Sequence, residues 1–517
     1  MPISLRHHFG RRLCVAAVLT VAPRAVGDLV IVALSTEHSL TPCSPQQPRP
    51  TIFSPRRGCI PETRRSMSNA KSELLRSLAA RGRSRRVVGV ALIAASLTLA
   101  GCASAASSAP EVTESEELFS DFVPSAGGEI PDATVPFSMW PYGDTTIGYI
   151  GIEEGFFGDV GITLSPEEGQ TQLTDVTPGL LLSGELDVVV DYIPTMVQRY
   201  EEQPEIQMVQ VLNSFIGNYV LAAPDRDATS VEEYVDEGMS FEDATAAVIA
   251  DMDGATVALS ADVASARNLL DGMLQIGGGS VESFGSLESL DDTQIVQLAQ
   301  GEGVDYTLVS GAAQSIQLLD MGFEPVFGFE QMANNLPTGS DFTALGIGHV
   351  GLSVTDEYLD ENLETILRFM SVYWRIIDYI ETEPDQALAI SLPYLNAATG
   401  YELTVEESAV LFQDFYQLIS FDAAEEFFND PENPLGLSAI YDAQIAAAQA
   451  SGVLSDGVVV EDFVVAQQLY DLMVELKDDY EDLAADSSAD DGTLAAAAAQ
   501  ASNRNYLDAY RILAAAE

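Results

Sequence analysis

The chain has 517 residues, enough for two or three domains, and a formal net charge of −56 at pH 7. Residues 1–101 hold 15 of the 23 Lys and Arg residues, whereas the remaining 416 residues hold 75 of the 79 acidic ones. Such an acidic body argues against nucleic acids and anionic lipid surfaces as partners. Beyond residue 102 there is no Cys and a single histidine, His349, so we expect no disulfide framework, no metal site and no cofactor there.

A short apolar run at 87–100 follows five arginines between residues 76 and 86. A basic stretch before such a run is typical of a secretory signal peptide, and the run is too short to span a membrane. It ends in Leu-Ala-Gly-Cys, which resembles the bacterial lipobox and implies cleavage before Cys102 and a lipid on its sulfur. We predict a lipoprotein signal peptide at 67–101 and anchoring to the outer face of the cell membrane. Either Sec or twin-arginine export fits these residues.

The signal peptide begins unusually far from the first residue of the sequence. We therefore expect translation to start at Met67, which would place residues 1–66 upstream of the true start. The alternative is a first membrane segment at 14–35, which Pro23, Arg24 and Asp28 interrupt.

The mature chain opens with residues 102–133, whose Ala, Ser, Pro, Glu and Gly predict a flexible tether. The stretch 134–192 then alternates strands and helices. Strands are predicted at 134–139, 162–164 and 186–190, and helices at 145–155 and 174–183. Asp144 is expected to cap the first of these helices, and Pro178 to lie in the first turn of the second. This alternation predicts a parallel sheet with a site at the carboxyl ends of its strands.

The same rhythm continues with a helix at 193–203 and strands at 206–213 and 219–223. The acidic segment 225–253 predicts two helices or an insertion, with Ser230 and Ser240 as caps. A second α/β unit follows. Its predicted strands are 255–259, 281–284, 304–309 and an extended run at 325–329, and its predicted helices are 263–276, 291–300 and 312–321.

From residue 343 the chain turns from alternation to helix. A Gly-rich apolar strand at 343–354 is predicted to return to the first unit. Helices are predicted at 363–379, 384–396, 404–419, 438–450 and 461–481. The first of these carries an apolar stripe with Trp374, which we expect in the core. A polar break and an Ala-rich terminal helix at 494–516 close the chain.

Four sequence motifs occur in order behind the lipobox. They are GYIGIEEGFF at 148–157 with VGITL at 160–164, LLLSGELD at 180–187, GEGVDYTLV at 301–309 and MGF at 321–323. In this order they resemble the lipoprotein solute-binding subunits of bacterial ABC importers. Within that family the chain is most similar to the group that binds sulfonates, taurine, nitrate and thiamine pyrimidine precursors. The resemblance covers about residues 134–480.

The resemblance implies an α/β fold of periplasmic-binding-protein type II, with two α/β lobes joined by two crossing strands and extra C-terminal helices. Lobe one would comprise residues 134–221 and 343–483, and lobe two residues 222–342. Residues 484–517 would form a polar break and the terminal helix. The crossings would lie near 219–223 and 345–353. It further implies a non-catalytic monomer that captures a small solute by hinge closure and delivers it to an ABC permease and its ATPase, touching the membrane through its lipid alone.

Candidate ligand residues lie where strands end and helices begin, facing the expected cleft. They are Trp140, Tyr142, Gly143, Asp144, Asp191, Tyr192, Asn213, Asn218, Tyr219, Ser260, Asp262, Ser265 and Ser310. Helix N-termini suit an anionic group and aromatic rings can stack on a flat one. The simpler alternative is that Asp144, Ser260 and Asp262 only cap helices and that Trp140 and Tyr142 are core-edge residues. Asp191, at the end of an apolar strand, either bonds nearby backbone or accepts a ligand donor.

The basic residues bear on the ligand class. Arg267 lies inside a predicted helix, where it is expected to pair with a carboxylate, with a sulfonate or nitrate contact as the alternative. Without another convincing cation, the candidate set favours a cationic, zwitterionic or flat heteroaromatic solute. A sulfonate, a taurine-like zwitterion and an amino-pyrimidine all stay open.

An enzyme is the alternative function. It would be a secreted hydrolase using two carboxylates, or a pyrimidine-synthesis-like protein on a related fold. Because His349 is the single histidine after residue 102 and lies in a Gly-rich strand, a Ser-His-Asp set cannot form there. We expect His349 to be a structural hinge residue.

Overall fold

The computed structural model describes residues 119–516, except 262, 263, 337–339, 341, 343–346, 431, 432 and 434. The predicted signal peptide, Cys102 and Asp262 therefore lie outside the described residues. None of the helices within the described ranges is both long and apolar enough to cross a membrane.

The strands in the described part of the chain are β1 Ala133–Ser138, β2 Ile162–Ser165, β3 Val188–Tyr192, β4 Ile206–Phe215, β5 Tyr219–Ala222, β6 Thr256–Ser260, β7 Ser286–Leu290, β8 Tyr306–Leu308, β9 Glu324–Gly328, β10 Gly348–Thr355 and β11 Tyr416–Leu418. The helices up to the end of the second α/β unit are α1 Gly148–Glu153, α2 Phe156–Asp159, α3 Thr177–Leu182, α4 Ile193–Arg199, α5 Val231–Asp236, α6 Phe241–Asp251, α7 Ala264–Gly277, α8 Asp292–Gln300, α9 Ala312–Asp320 and α10 Phe329–Asn335. The C-terminal helices are α11 Asp356–Thr382, α12 Pro384–Thr399, α13 Val405–Val410, α14 Phe421–Asn429, α15 Leu437–Ser451, α16 Ala466–Asp486, α17 Asp491–Ser502 and α18 Tyr506–Ala514.

The strands form two separate sheets. The first has the order β11-β4-β10-β3-β1-β2, and the second the order β7-β6-β8-β5-β9. In the first sheet β1 lies parallel to β2 and β3, while β10 pairs antiparallel with β3 and β4. In the second, β6 lies parallel to β7 and β8, while β5 is antiparallel to β8 and β9. The central strand β3 is buried along its whole length, as its unbroken apolar run indicates.

The chain passes between the two sheets twice. It leaves the first sheet after β4, through residues 216–218, and returns from α10 to β10. The predicted fold class, two α/β lobes with two crossings and added C-terminal helices, is confirmed. The crossings themselves differ from those expected at 219–223 and 345–353, because β5 completes its ladders within the second sheet and β10 within the first. We call the first sheet with its helices lobe one, and the second sheet with its helices lobe two.

Several predicted elements differ in detail. The helix at 145–155 is shorter: it starts at Gly148, and Gly155 at φ +73° separates it from α2. The residue before α1 is Ile147, so the expectation that Asp144 caps this helix is wrong. By contrast, Ser230 and Ser240 each accept a backbone N–H as the N-cap of α5 and α6, as predicted.

Three further elements differ from the prediction. The strand expected at 281–284 is a 3₁₀ turn, and the strand β7 follows it to pair with β6. The helix expected at 404–419 passes through a π-helical turn, Leu411–Phe415, and ends in β11, which covers the edge of β4. The expected terminal helix is two helices, because Arg504 at φ +60° breaks the chain between α17 and α18.

The terminal helix α18 is packed into lobe one. Its Asp508 and the Arg368 of α11 form a buried ion pair at 2.9 Å, and Arg511 donates to the same carboxylate at 2.6 Å. Arg511 also donates to the carbonyl of Ser125, whose hydroxyl donates to Glu364. The part of the expected tether from 119 to 133 is thus held against the body, which its Ala- and Ser-rich composition could not indicate.

Trp374 is buried in the core of lobe one, as predicted. Its ring meets Phe421 edge to face at 5.0 Å and Tyr470 at 6.3 Å. The C-terminal helices thereby join the sheet of lobe one into one apolar core.

Candidate functional site

A cavity of about 640 Å³ lies between the two lobes. Lobe one supplies Trp140 after β1, the start of α3 and one face of α4, while lobe two supplies Ser260 and Ala261 after β6, Arg267 on α7 and Ser289 on β7. Its lining residues are Trp140, Thr174, Asp175, Pro178, Gly179, Thr195, Gln198, Arg199, Gln203, Leu259, Ser260, Ala261, Arg267 and Ser289. The cavity therefore sits at the carboxyl ends of parallel strands from both sheets, where ligands of open α/β sheets bind.

Arg199, at the end of α4, forms the cationic wall of lobe one. Its guanidinium forms a short ion pair with Asp191, and the other oxygen of that carboxylate accepts the Tyr192 N–H at 2.8 Å. Burial raises the pKa of Asp191, and Arg199 opposes that shift. Asp191 is 1 % exposed and does not line the cavity, so both of its oxygens are occupied inside lobe one.

Arg267 forms the cationic wall of lobe two. It pairs with Asp271 at 2.9 Å on the same helix, as expected, and its side chain is 50 % exposed. Since Arg267 reaches the cavity from the opposite lobe, the cavity has one arginine on each side. Of the eight Lys and Arg residues after residue 101, two line this one cavity.

Trp140 and Tyr142 stand at the end of β1. Trp140 lines the cavity, and its indole N–H donates to the hydroxyl of Thr177 at 3.2 Å. The two rings meet edge to face, with centroids 6.3 Å apart. Trp140 is thus both a buried residue at the edge of the core and a residue of the cavity wall.

A polar cluster joins the lobes beside the crossing at 216–218. The Ser265 hydroxyl of α7 donates to Asn218 Oδ1 at 3.2 Å, and Ser265 also lies near the Tyr192 phenol, whose pKa burial raises. In this cluster the Tyr192 hydroxyl and Asn218 Nδ2 have no hydrogen-bond partner among the described residues. Tyr192, Asn218 and Ser265, named separately from the sequence, are therefore brought together.

Asp144 lies near this cluster within lobe one. Its carboxylate accepts the side-chain N–H of Asn213 at 3.1 Å, and burial raises the pKa of Asp144 to about 7. Its neighbour Gly143 packs against Tyr416, whose hydroxyl meets the backbone of Gly143 and of Ala312 in lobe two. Asp144 is buried and does not line the cavity.

Ser310 precedes helix α9 in lobe two, but the end of that helix is already occupied. The Asp292 carboxylate accepts the backbone N–H of Ser310 at 3.3 Å and that of Gly311 at 2.6 Å. A protein carboxylate therefore takes the place that an anionic ligand would use. This leaves the cavity walls, and not the start of α9, as the place for a ligand anion.

An apolar contact also spans the lobes on the side of the crossings. Its members are Phe215, Ala312, Ala313, Ile316, Leu395, Leu403, Leu411, Phe415 and Tyr416. Those from α9 belong to lobe two, and the others belong to lobe one. Tyr219, at the start of β5, packs its ring edge to face on Phe415 at 5.8 Å. We call this group the interlobe clamp.

His349 is buried in β10, away from the cavity lining. Its ring nitrogens meet the Tyr441 hydroxyl at 2.9 Å and the Leu435 carbonyl at 3.2 Å, and burial lowers the pKa of His349 to about 3. The neutral ring therefore supports the packing of α15 on the sheet. Within the described ranges no group of three His, Cys, Asp or Glu side chains is arranged to hold a metal ion.

Sequence reasoning missed Arg199, its neighbours Thr195 and Gln198 on α4, and Gln203 beyond the end of that helix. The available signal was the scarcity of basic residues, since Arg199 is one of only eight Lys and Arg residues after residue 101.

No protein-family model and no curated protein sequence matches this chain. Among solved structures it is similar to the periplasmic aliphatic sulphonate-binding protein of Escherichia coli, with 11 % identity, a TM-score of 0.44, and coverage of 65 % of this chain and 92 % of that one. It is similar to the alkanesulfonate-binding protein of Xanthomonas axonopodis pv. citri bound to MOPS, with 15 % identity, a TM-score of 0.43 and coverage of 66 % and 99 %. It is also similar to a desulfurization enzyme, with 12 % identity, a TM-score of 0.42 and coverage of 66 % and 99 %. Likeness at this level transfers neither a ligand nor an activity.

Proposed function

We propose that this protein is the extracytoplasmic solute-binding subunit of an ABC importer, which closes its two lobes around a small organic solute and delivers it to a membrane permease. The observation that carries the proposal is the cavity of about 640 Å³ lined by both lobes at the carboxyl ends of their strands. A cavity of that size suits a small molecule, and walls from two hinged bodies let binding and closure occur together.

The proposed solute is an organic anion, with the sulfonate group as the best fit. Arg199 and Arg267 face the cavity from opposite lobes, although the charged residues after residue 101 are mostly acidic. A guanidinium provides planar, permanently charged donors that match an oxyanion. Trp140 can cover an apolar or flat portion of the same solute. Asp175, also in the lining, would accept an ammonium group if the solute is a taurine-like zwitterion.

The binding role is proposed as non-catalytic. Among the described residues that line the cavity, Asp175 is the one carboxylate, and none is a Cys or His. A hydrolase of the two-carboxylate kind needs two facing acids. The lining residues instead support retention of an intact solute.

Attachment to the membrane is proposed through the lipid on Cys102. The basic stretch, the short apolar run and the Leu-Ala-Gly-Cys ending support it. Metabolic labelling with a fatty acid would test it, because Cys102→Ser should abolish incorporation of the label.

Calorimetric titration tests the binding role. The purified protein should bind at least one of a panel of ethanesulfonate, taurine, MOPS and nitrate saturably at one per chain. An amino-pyrimidine in the same panel tests the competing solute class. If no anion binds and the amino-pyrimidine does, the anion assignment is wrong; if hydrolysis of a bound compound is detected, the non-catalytic role is wrong.

A further inference from the structure

A second cavity of about 420 Å³ lies in lobe one, beside the first crossing. Its lining includes Ile216 of that crossing, the end of α11, the start of α12 and the π-helical turn before β11. It shares no lining residue with the cavity between the lobes. Single π-helical turns are frequent at functional sites, and one of them forms part of the wall of this cavity.

The walls of this second cavity are mainly apolar. Ile380, Pro384 and Leu388 come from α11 and α12, and Phe412 and Leu418 come from the opposite side. These residues offer a surface for a hydrocarbon chain or ring. Burial of apolar area contributes about 25 cal/mol per Å², so a six-carbon body is enough for measurable binding.

The one charged group in the lining is a carboxylate, Glu381. It lies in the last turn of α11, three residues before the start of α12. Burial, and then the carboxylates of Asp378 and Asp422, raise the pKa of Glu381. Arg504 is close, but its guanidinium is already hydrogen-bonded to both Asp378 and Asp422. Arg504 and a hydrogen bond from Ser420 offset part of the charge of Glu381. Three carboxylates nevertheless surround the one guanidinium, so a cation entering this cavity would meet a net negative potential.

We propose that this cavity, which we name the hinge-side cavity, is a second small-molecule site that takes an organic cation with an apolar body, such as an alkylammonium. The ammonium would lie against Glu381 and the helix end, and the hydrocarbon part against Ile380, Leu388 and Phe412. The interaction is noncovalent and does not depend on which solute the cavity between the lobes binds.

Three probes of one shape separate charge from hydrocarbon burial: n-hexylammonium, n-hexanol and hexanoate. Titration calorimetry at low salt should show saturable binding of hexylammonium at one per chain, at least tenfold tighter than hexanol, and no binding of hexanoate. Glu381→Gln should reduce the affinity for hexylammonium to that for hexanol, and Phe412→Ala should weaken both. Arg267→Gln, in the other cavity, should leave hexylammonium binding unchanged.

Asp385→Asn is the matched control. Asp385 is an exposed acid four residues further along the chain that does not line the cavity. If Glu381→Gln and Asp385→Asn lower the affinity equally, the amine is attracted by the acidic surface in general and the site is refuted. It is equally refuted if hexylammonium and hexanol bind alike or neither binds saturably. Melting curves of each variant show whether a loss of binding merely reflects unfolding.

Discussion

The guanidinium of Arg199 pairs with the buried carboxylate of Asp191, eight residues earlier in the chain. Through this pair Asp191, at the end of β3, holds in place the guanidinium of Arg199, which faces the cavity between the lobes. A buried acid without that partner would be costly to ionise. The pair therefore explains how an acidic protein keeps an arginine in its proposed site. It also means that Asp191 reduces the positive charge that an anion would meet there.

Substituting Asp191 should strengthen the binding of an anion. In Asp191→Asn the carboxylate that neutralises Arg199 is gone, so the full guanidinium charge faces the cavity. We expect the affinity for a sulfonate that binds the parent protein to rise by up to about tenfold, equal to about 1.4 kcal/mol. Calorimetric titration measures it. A fall in affinity at unchanged melting temperature would contradict this prediction and would mean that the carboxylate aids binding, by holding Arg199 in place or by contacting the ligand.

Arg267→Gln should weaken sulfonate binding about ten- to hundredfold, since a hydrogen bond to a charged group contributes about 1.5–3 kcal/mol. Stability should change little, because Arg267 is half exposed and its ion pair with Asp271 lies on the surface. Arg226→Gln is the control, because Arg226 is another arginine of lobe two that pairs with an acid, Asp305, outside the cavity. Equal losses in both variants would reduce the effect to general electrostatics.

Trp140 should report ligand binding by fluorescence. The protein after residue 101 contains two tryptophans, Trp140 in the cavity wall and Trp374 in the core of lobe one. A ligand that displaces water from the cavity changes the surroundings of Trp140 alone. We expect Trp374→Phe to keep the ligand-dependent emission change and Trp140→Phe to lose it. The reverse pattern would place the ligand elsewhere.

Asp144 should make stability fall as pH rises. Its pKa is raised from 3.8 to about 7 in the folded protein, so between those values the folded state holds a proton that the unfolded state has lost. The free energy of unfolding then falls by about 1.4 kcal/mol per pH unit, up to about 4 kcal/mol across the window.

Asp144→Asn removes this titration. We expect the variant and the parent to be equally stable near pH 4, and the variant to be more stable above pH 7. Urea unfolding at several pH values gives both curves. A constant difference between the two proteins across that range would show that Asp144 does not titrate there.

The interlobe clamp should hold the lobes together. Ile316→Ala removes a buried side chain of α9 that packs against lobe one, whereas Ile295→Ala removes one from the core of lobe two. Both should lower stability by about 2–5 kcal/mol. Only Ile316→Ala should also enlarge the radius of gyration measured by small-angle scattering without ligand. An unchanged radius in both variants would mean that the clamp does not limit opening.

Much of the local structure follows from the sequence. Apolar runs and turn residues predict β3, the pattern of two α/β units and the stripe around Trp374, because burial on one or both faces leaves a periodic record in the chain. Serine caps at Ser230 and Ser240 are equally local, since a hydroxyl bonds a backbone N–H three residues away. The two-lobe fold class, by contrast, was implied by the resemblance to solute-binding proteins and not by these local patterns.

Such local patterns could not predict the long-range contacts. Asp144 bonds Asn213 instead of capping a helix, residues 416–418 leave their helix to cover the edge of β4, and α18 packs through the Arg368–Asp508 pair, 140 residues apart. Each depends on a partner far along the chain, which local propensity does not encode.

By itself the sequence predicted a lipobox at Cys102, and it determined an acidic chain, its α/β alternation and most of its strand ends. Only the tertiary structure decided which of those ends face one another. It placed Asp191 behind Arg199 and brought Arg267 to the opposite wall of the same cavity. The physical reason is that the charge of a site is set by which side chains neutralise each other in space, and that pairing is not local in the chain.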